Sequence, residues 1–334
     1  MRKTSGGVWR LAEKIIDDMD ERETGLSKPQ LVGLADITAS VLATRSVNTS
    51  ELAMVLPRTC ANVEDRYRYI NRWLANTRIN PDQVMIAYSE ELFAMALNQE
   101  TTIVLMLDQS KIGKDFECLM LSVRFGERAI PLAWRVKRTK GTIGFETQEE
   151  LLTKVFALLP QGLKIVLMGD RFYGTSALIS LCQRFGWGYR LRLKGNLHLY
   201  DETEGLITPL EAHKLKIRSL ENVCLGEDGP KTNIGLLQET GHPEPWFIAM
   251  NTRPTEARTL DYGMRWGIEA LFSDLKSRGF YITQTQLRHE DRIERLLLVL
   301  TIALYWAVST GMGLEKHKRE KPIRKTSKKK LKDL

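Results

Sequence analysis

The chain has 334 residues, of which 43% are hydrophobic and 27% charged, the composition of an ordinary soluble protein with room for more than one domain. Its formal net charge is +8, but residues 315–334 carry ten Lys or Arg against three acids, so the basic excess is a tail that either favours polyanions or only solubilises the chain. The four cysteines contain no Cys-x-x-Cys pair, which argues against a zinc site or a disulfide framework, and a cytoplasmic protein without a signal peptide is expected.

The first hundred residues are predicted to be helical. Asn80-Pro81-Asp82 places an N-cap residue before a proline at the first helical position and predicts a helix through Met95. Glu64 to Arg78 has an apolar side, with arginines distributed elsewhere. We therefore predict an all-helical domain at 1–99 with a basic surface, either for DNA binding or as a plain helical bundle.

Strand patterns begin near Thr101 and alternate with helical ones. The order βββαβαβ predicts an α/β domain that starts with a meander of three strands. The predicted elements are strands Ile103 to Leu107, Glu117 to Phe125 and Ala129 to Val136, helix Glu146 to Leu158, strand Lys164 to Met168, helix Ser176 to Phe185 and strand Tyr189 to Leu193.

The pattern weakens over 197–245 into short runs broken by glycines and prolines, which predicts a strand-rich insertion. A strand from Trp246 to Met250 and a helix from Glu256 to Arg278 follow. Residues 296–312 are almost entirely apolar but slightly short for a membrane span, and a helix buried in a large domain is favoured. The basic tail at 313–334 is predicted to be disordered.

One face of the helix from Glu256 to Arg278 carries four polar side chains: Tyr262, Arg265, Glu269 and Lys276. At about 100° per residue they fall within an arc of about 60°, beside an apolar stripe that would anchor the helix. Two cations flanking one acid suit phosphates beside a metal-binding carboxylate, whereas a salt-bridged surface is the simpler interpretation.

Asp108 and Asp170 each follow an apolar strand, where α/β sheets often present functional groups. Either residue alone fits an ordinary turn. Together with Glu269 they make three carboxylates, which can hold two magnesium ions for an in-line displacement on phosphorus.

At these residues the chain resembles bacterial insertion-sequence transposases of the DDE class, of the insertion-sequence-four type. The family signature Tyr-x2-Arg-x3-Glu-x6-Lys is met by Tyr262, Arg265, Glu269 and Lys276, after one Asp at the first strand and another at the fourth. The resemblance covers roughly residues 100–312. It implies a ribonuclease-H-like catalytic core at 100–196 and 246–312, interrupted by the insertion.

The resemblance also implies roles for individual residues. Asp108, Asp170 and Glu269 would bind two Mg²⁺ ions, with Mn²⁺ able to substitute. Tyr262, Arg265 and Lys276 would contact phosphates near the cleaved transposon end. Trp246 would stack on an extruded base during hairpin formation, although a core tryptophan on a strand is the alternative.

The implied activity is that of a DNA transposase in the bacterial nucleoid. It would bind the double-stranded DNA of the inverted repeats, cleave the transposon ends through hairpins and join them to target DNA. It would act on DNA as a homodimer, and no association with a membrane is expected. A non-catalytic DNA-binding derivative and a structure-selective nuclease on the same fold are the alternatives.

Overall fold

A computed structural model describes residues 6–59, 62–97, 101–160, 162–201, 205–238, 241 and 243–320, the side chains of 312–320 excepted. Helices occupy the chain before the first strand, as the sequence predicts. Their bounds are α1 Gly6–Asp20, α2 Lys28–Thr44, α3 Thr49–Val55, α4 Val63–Leu74 and α5 Pro81–Leu97. The side chains of Asn48 and Asn62 accept backbone N–H groups at the starts of α3 and α4, which fixes where these helices begin.

The predicted order βββαβαβ is observed in the following residues. The elements are β1 Ile103–Ile112, β2 Phe116–Phe125, β3 Arg128–Lys137, α6 Phe145–Leu158, β4 Ile165–Gly169, α7 Ser176–Phe185 and β5 Gly188–Arg192. The strands lie in the order β3-β2-β1-β4-β5, with β1, β4 and β5 parallel and the first three strands antiparallel. The carboxyl ends of the parallel strands therefore meet at one edge of the sheet.

The insertion extends this sheet instead of forming a second one. Its elements are β6 Leu199–Asp201, β7 Gly205–Ile207, α8 Pro209–Lys214, β8 Ser219–Leu225 and β9 Lys231–Leu237. The next strand, β10 Trp246–Met250, pairs antiparallel with both β5 and β9. Within the described residues, ten strands thus form one sheet that continues from β5 as β10-β9-β8-β6-β7.

The last helix, α11 Glu290–Glu320, joins the N-terminal helices to the sheet. It packs against α2, α4, α5 and β3, and one continuous apolar cluster runs from Val8 in α1 to Tyr305 in α11. Its part from Glu290 to Gly311 is long and apolar enough to cross a membrane, but 67% of the residues in its apolar 18-residue stretch are buried inside the protein. The helix reaches into the segment predicted as a tail, of which 321–334 lie outside the described residues.

The single helix predicted from Glu256 to Arg278 is wrong. The chain instead forms α9 Glu256–Leu260, a 3-10 turn at Asp261–Arg265, α10 Trp266–Ser273 and a π turn at Asp274–Arg278. The π turn closes where the N–H groups of Gly279 and Phe280 both donate to the Asp274 carbonyl. Since the helix type changes three times between Glu256 and Arg278, the assumption of 100° per residue does not hold along this segment.

The apolar stripe of this segment does face the core. Ile268, Leu271 and Leu275 are each at most 2% exposed. Gly267 allows the segment to approach the turn between β2 and β3, because a Cβ there would lie 3.2 Å from the Arg128 carbonyl oxygen. The segment is therefore anchored against the sheet beside β1, β2 and β3.

Candidate active site

Asp108 lies inside β1, not at its end as predicted. The antiparallel ladder with β2 continues from Asp108↔Met120 to Ile112↔Phe116 and carries the strand four residues further. The parallel pairing with β4, in contrast, ends at Leu107↔Gly169, directly before the two acids. Asp108 and Asp170 therefore follow the last parallel pair on neighbouring strands, which is the arrangement that the prediction requires at this edge of the sheet.

Asp170 opens a tight turn after β4. One of its carboxylate oxygens accepts the backbone N–H of Phe172 at 2.8 Å, and its carbonyl oxygen accepts that of Tyr173 at 2.9 Å. Tyr173 is 1% exposed and anchors the turn in the core, whereas Phe172 is 55% exposed. The turn thus holds the Asp170 carboxylate in place and directs Phe172 to solvent.

Arg265 connects the sheet to the signature segment. Its Nη1 donates to Asp108 Oδ2 at 3.1 Å and its Nη2 to Glu269 Oε1 at 2.5 Å, across 157 residues of sequence in the first case. The Arg265 side chain is 10% exposed and that of Asp108 16%, whereas Glu269 is 55% exposed. One buried guanidinium therefore draws two of the three predicted catalytic acids together.

The charges of the site influence one another strongly. Burial raises the pKa of Asp108 to about 6; Arg265 opposes this rise, and the negative charges of Asp170 and Glu269 add to it. Burial also works against the charge of Arg265, but Tyr262 and the acids outweigh it, so its pKa is raised. The negative charges of the three acids thus act on one another, and the buried Arg265 is the main positive charge that offsets them.

Lys276 lies close enough to Asp108 for their charges to interact. Its Nζ donates to the hydroxyl of Ser110, two residues further along β1. Burial lowers the pKa of Lys276, although Glu117 and Asp108 favour its charge. The ammonium group is therefore held beside the acids by a neutral partner, so its charge remains available to an anion.

Tyr262 and Trp246 lie in a separate apolar cluster with Ile248 and Met250. Both side chains are 3% exposed, and their rings meet edge to face at 5.2 Å. Trp266, which is 43% exposed, meets Trp246 edge to face at 5.9 Å. The face of Trp246 is covered in this conformation, so a base could stack on it only after one of these neighbours moves.

Carboxylate oxygens are the ligands that Mg²⁺ prefers, so the chemistry of Asp108, Asp170 and Glu269 suits that ion. Within the part of the chain that the structure describes, however, no group of three His, Cys, Asp or Glu side chains is arranged to hold a metal ion. Arg265 accounts for this arrangement, because its guanidinium is bonded between Asp108 and Glu269. The Nε of Arg265 is also buried, and it has no hydrogen-bond partner among the described residues.

The sequence interpretation missed three features of this region: the Ser110 hydroxyl that holds Lys276, the exposed Phe172 and the exposed Trp266. Ser110 has a signal in the sequence, since residues i and i+2 of a strand share a face and it follows Asp108 by two. Phe172 also has one, because an aromatic residue directly after a predicted catalytic turn has no strand or helix to bury it. Trp266 has none, because its exposure depends on the change of helix type at Arg265.

Comparisons with known proteins bear on the second half of the chain. Residues 144–306, just under half of the chain, match the family model described as "Transposase DDE domain". The matched range contains Asp170, Trp246 and the whole signature segment, and Asp108 precedes it. No curated protein matches the chain.

Among solved structures, endonuclease V of Ciona intestinalis in complex with a 24mer DNA is similar with 12% identity and a TM-score of 0.30, over 56% of this chain and 97% of that one. Human ENDOV is similar with 11% identity and a TM-score of 0.25, over 66% and 98%. These scores are too low to support a functional argument.

The transposase domain match implies a ribonuclease-H-like fold, with which the β3-β2-β1-β4-β5 order and the intervening helices agree. It supports transposition and DNA binding as the general function, and an enzyme of a family that uses divalent metal ions. The residues that it covers thus support a DDE-class transposase.

Proposed function

We propose that the protein is a transposase of the insertion-sequence-four type that cleaves the ends of its element and joins them to target DNA. The observation that carries this proposal is the contact of Arg265 with both Asp108 and Glu269 at the edge of the sheet where Asp170 emerges. A structural salt bridge needs one acid, whereas this guanidinium joins two acids that lie far apart in sequence. Such an arrangement fits a site built for several positive charges.

Asp108, Asp170 and Glu269 are the residues that would hold two Mg²⁺ ions, with Mn²⁺ as a substitute. When bound, these ions would activate the attacking water or hydroxyl and stabilise the leaving oxygen on phosphorus. Asp108 and Asp170 are fixed by β1 and by the turn after β4, so they are oriented before DNA arrives. Glu269 is exposed, and among the described residues its side chain bonds Arg265 alone, so it has the freedom to reorient.

The cations of the signature segment would bind the DNA backbone. Arg265 has to leave Glu269 for the three acids to converge, and a DNA phosphate offers its guanidinium another anionic partner. Lys276, which donates to Ser110 and bonds no acid among the described residues, would contact a second phosphate. Arrival of DNA would thereby release Glu269, which couples substrate binding to assembly of the site.

Tyr262 and Trp246 would act together if the ends are released through hairpins. Since Trp246 is covered by Tyr262 and Trp266, an extruded base would reach it only by displacing one of these rings. The Trp246→Phe variant keeps an aromatic core residue and should therefore nick DNA ends normally. It is expected to form fewer hairpins, and equal loss of both steps would contradict a stacking role.

The test of the function is a cleavage and joining assay. The purified protein would be incubated with Mg²⁺, labelled DNA carrying the flanking repeats of its own element, and a target plasmid. We expect nicked products to appear first, then hairpin products and finally joined products. Cleavage without any joined product would indicate a nuclease, and binding without cleavage would indicate a non-catalytic derivative. Gel filtration of the DNA complex would test the proposed homodimer.

A further inference from the structure

A pocket lies directly beside the turn that carries Asp170. It has a volume of about 550 Å³, and its lining combines basic and apolar side chains from the end of β5, the turn after β4 and the start of β10. The lining residues used below are Arg171, Phe172, Arg192, Lys194, Glu244 and Phe247. The pocket is contiguous with the candidate active site, because Phe172 donates its backbone N–H to the Asp170 carboxylate.

The most unusual side chain of this pocket is Phe172. It is 55% exposed, whereas Phe247 on the same pocket is 5% exposed. The turn that presents it lies close to the end of β5, since a Cβ on Gly174 would be 2.1 Å from the Arg192 carbonyl oxygen. The backbone therefore holds an apolar ring in solvent at a fixed place, which costs free energy unless a ligand covers the ring.

The positive charges of the pocket converge on one point. Arg171 Nη1 and Arg192 Nη2 both lie 3.2 Å from the same oxygen, Oε2 of Glu244. Glu244 is 56% exposed, so its carboxylate is an easily displaced anion between two guanidinium groups. A third cation, the Lys194 ammonium, lies 5.8 Å from the centre of the Phe172 ring.

An aromatic platform beside convergent cations is what a protein uses to bind unpaired nucleotides. The ring stacks on a base, and the cations bind the phosphate next to it. A base within a duplex does not offer its face, because neighbouring base pairs cover it. A volume of about 550 Å³ is that of a small-ligand pocket and not of a groove for duplex DNA.

We infer that this pocket binds an unpaired nucleotide of the DNA strand next to the cleavage site, with its base on Phe172 and its phosphate in place of Glu244 between Arg171 and Arg192. The inference rests on the proposed function and adds to it a site that no residue of the signature forms. Because Asp170 holds the backbone of Phe172, the site also places the strand relative to the acids.

The test measures binding alone, in EDTA, so that it does not depend on cleavage. A short single-stranded oligodeoxynucleotide with 2-aminopurine at an internal position is titrated with the full-length protein, alongside the same oligonucleotide in a duplex. We expect the single strand to bind with quenching of 2-aminopurine, since stacking on an aromatic ring quenches this base. Absence of quenching in the wild-type protein would overturn the inference without any variant.

Variants identify the pocket. Phe172→Ala should weaken single-strand binding by on the order of tenfold and abolish the quenching, and Phe172→Trp should retain both. Glu244→Gln should strengthen binding by roughly two- to fivefold at low salt, because it removes the negative charge that competes with a phosphate for both arginines. Phe156→Ala is the matched control, since Phe156 is 42% exposed but already stacks on Phe185 at 4.3 Å.

The outcomes separate the two claims. Quenching that depends on Phe172 in a protein that never cleaves its end DNA would support the pocket and contradict the proposed function. If the protein cleaves and joins DNA but its single-strand binding does not respond to Phe172→Ala and Glu244→Gln, the proposed function is supported and the pocket is contradicted. An equal response to Phe156→Ala and Phe172→Ala would overturn the inference.

Discussion

The candidate active site has two halves that are built differently. The sheet half consists of Asp108, Ser110 and Asp170, which regular strand pairing and one tight turn hold in place. The helical half consists of Arg265, Glu269 and Lys276, on a segment that passes from a 3-10 turn through α10 to a π turn. The sheet half owes its position to backbone hydrogen bonds, and the helical half reaches it through side-chain contacts. We conclude that the acids of the sheet are preorganised, whereas Glu269 is adjustable.

Loss of an acid from the sheet half should have the largest effect. Asp108→Asn removes the charge and keeps the size, so the strand should be retained while Mg²⁺-dependent cleavage of end DNA falls by on the order of 10²–10³-fold or more. Single-turnover cleavage on labelled DNA measures the effect, and thermal unfolding checks the fold. Cleavage within threefold of the wild-type rate would show that Asp108 is not part of the site.

Loss of Arg265, which connects the two halves, should lower the stability of the protein. Arg265→Ala leaves Asp108 partly buried without its partner, and breaking a buried ion pair costs about 3–5 kcal/mol. We expect a lower Tm without divalent ions and a larger rise of Tm on adding Mg²⁺ than in the wild-type protein, because the ion replaces the lost cation. If Mg²⁺ raises Tm equally in both proteins, Arg265 does not occupy the place of the metal.

The sheet half should also give the protein a characteristic pH dependence. The folded protein raises the pKa of Asp108 to about 6, above its value in the unfolded chain, so folding favours the protonated carboxyl. The contribution of Asp108 to stability is therefore full below about pH 4, declines as the pH rises to about 6 and is constant above that. Over this range the free energy of unfolding falls by about 3 kcal/mol.

Comparison with Asp108→Asn isolates this contribution, because the variant lacks the titrating group. Without divalent ions, the difference between the free energies of unfolding of variant and wild-type protein should shift in favour of the variant by this amount between pH 4 and pH 6. Denaturant unfolding at several pH values measures it. A difference that does not change with pH would contradict the raised pKa.

The smallest effect should come from an exposed ion pair that also joins the signature segment to the sheet. Arg128 Nη1 lies 2.5 Å from Asp274 Oδ2, but the Arg128 side chain is 58% exposed. Arg128→Ala should change the free energy of unfolding by at most about 1 kcal/mol and leave cleavage unchanged. An effect as large as that of Arg265→Ala would show that burial does not distinguish the two contacts.

The same division explains how far the sequence could be interpreted. Periodicity and turn residues were sufficient for β1 to β5 with their helices, because each element has a regular local pattern. The extent of β1 beyond Asp108 was not predictable, since it depends on pairing with β2. The signature segment was predicted as one helix because its pattern favours helix, and that pattern carries no signal for the 3-10 and π turns.

For the site, strand ends and the polar face of the signature segment indicated the three acids, and the resemblance agreed with them, but the contacts around these acids were not predictable. The contact between Arg265 and Asp108 joins residues 157 positions apart, which no local pattern contains. No local pattern predicts the burial of Trp246 either, because the strand Pro245-Trp246-Phe247-Ile248 is compatible with either face being exposed. Tyr262 and Trp266, from another part of the chain, cover that face.

The central claim is that Asp108, Asp170 and Glu269 bind divalent ions together once DNA is present. Mn²⁺ binding to the complex of the protein with end DNA, followed by the electron paramagnetic resonance signal of free Mn²⁺, tests it most directly. We expect two bound ions per active site, and Asp108→Asn, Asp170→Asn and Glu269→Gln each to weaken or abolish the binding of at least one of them. Unchanged binding in all three variants would contradict the account.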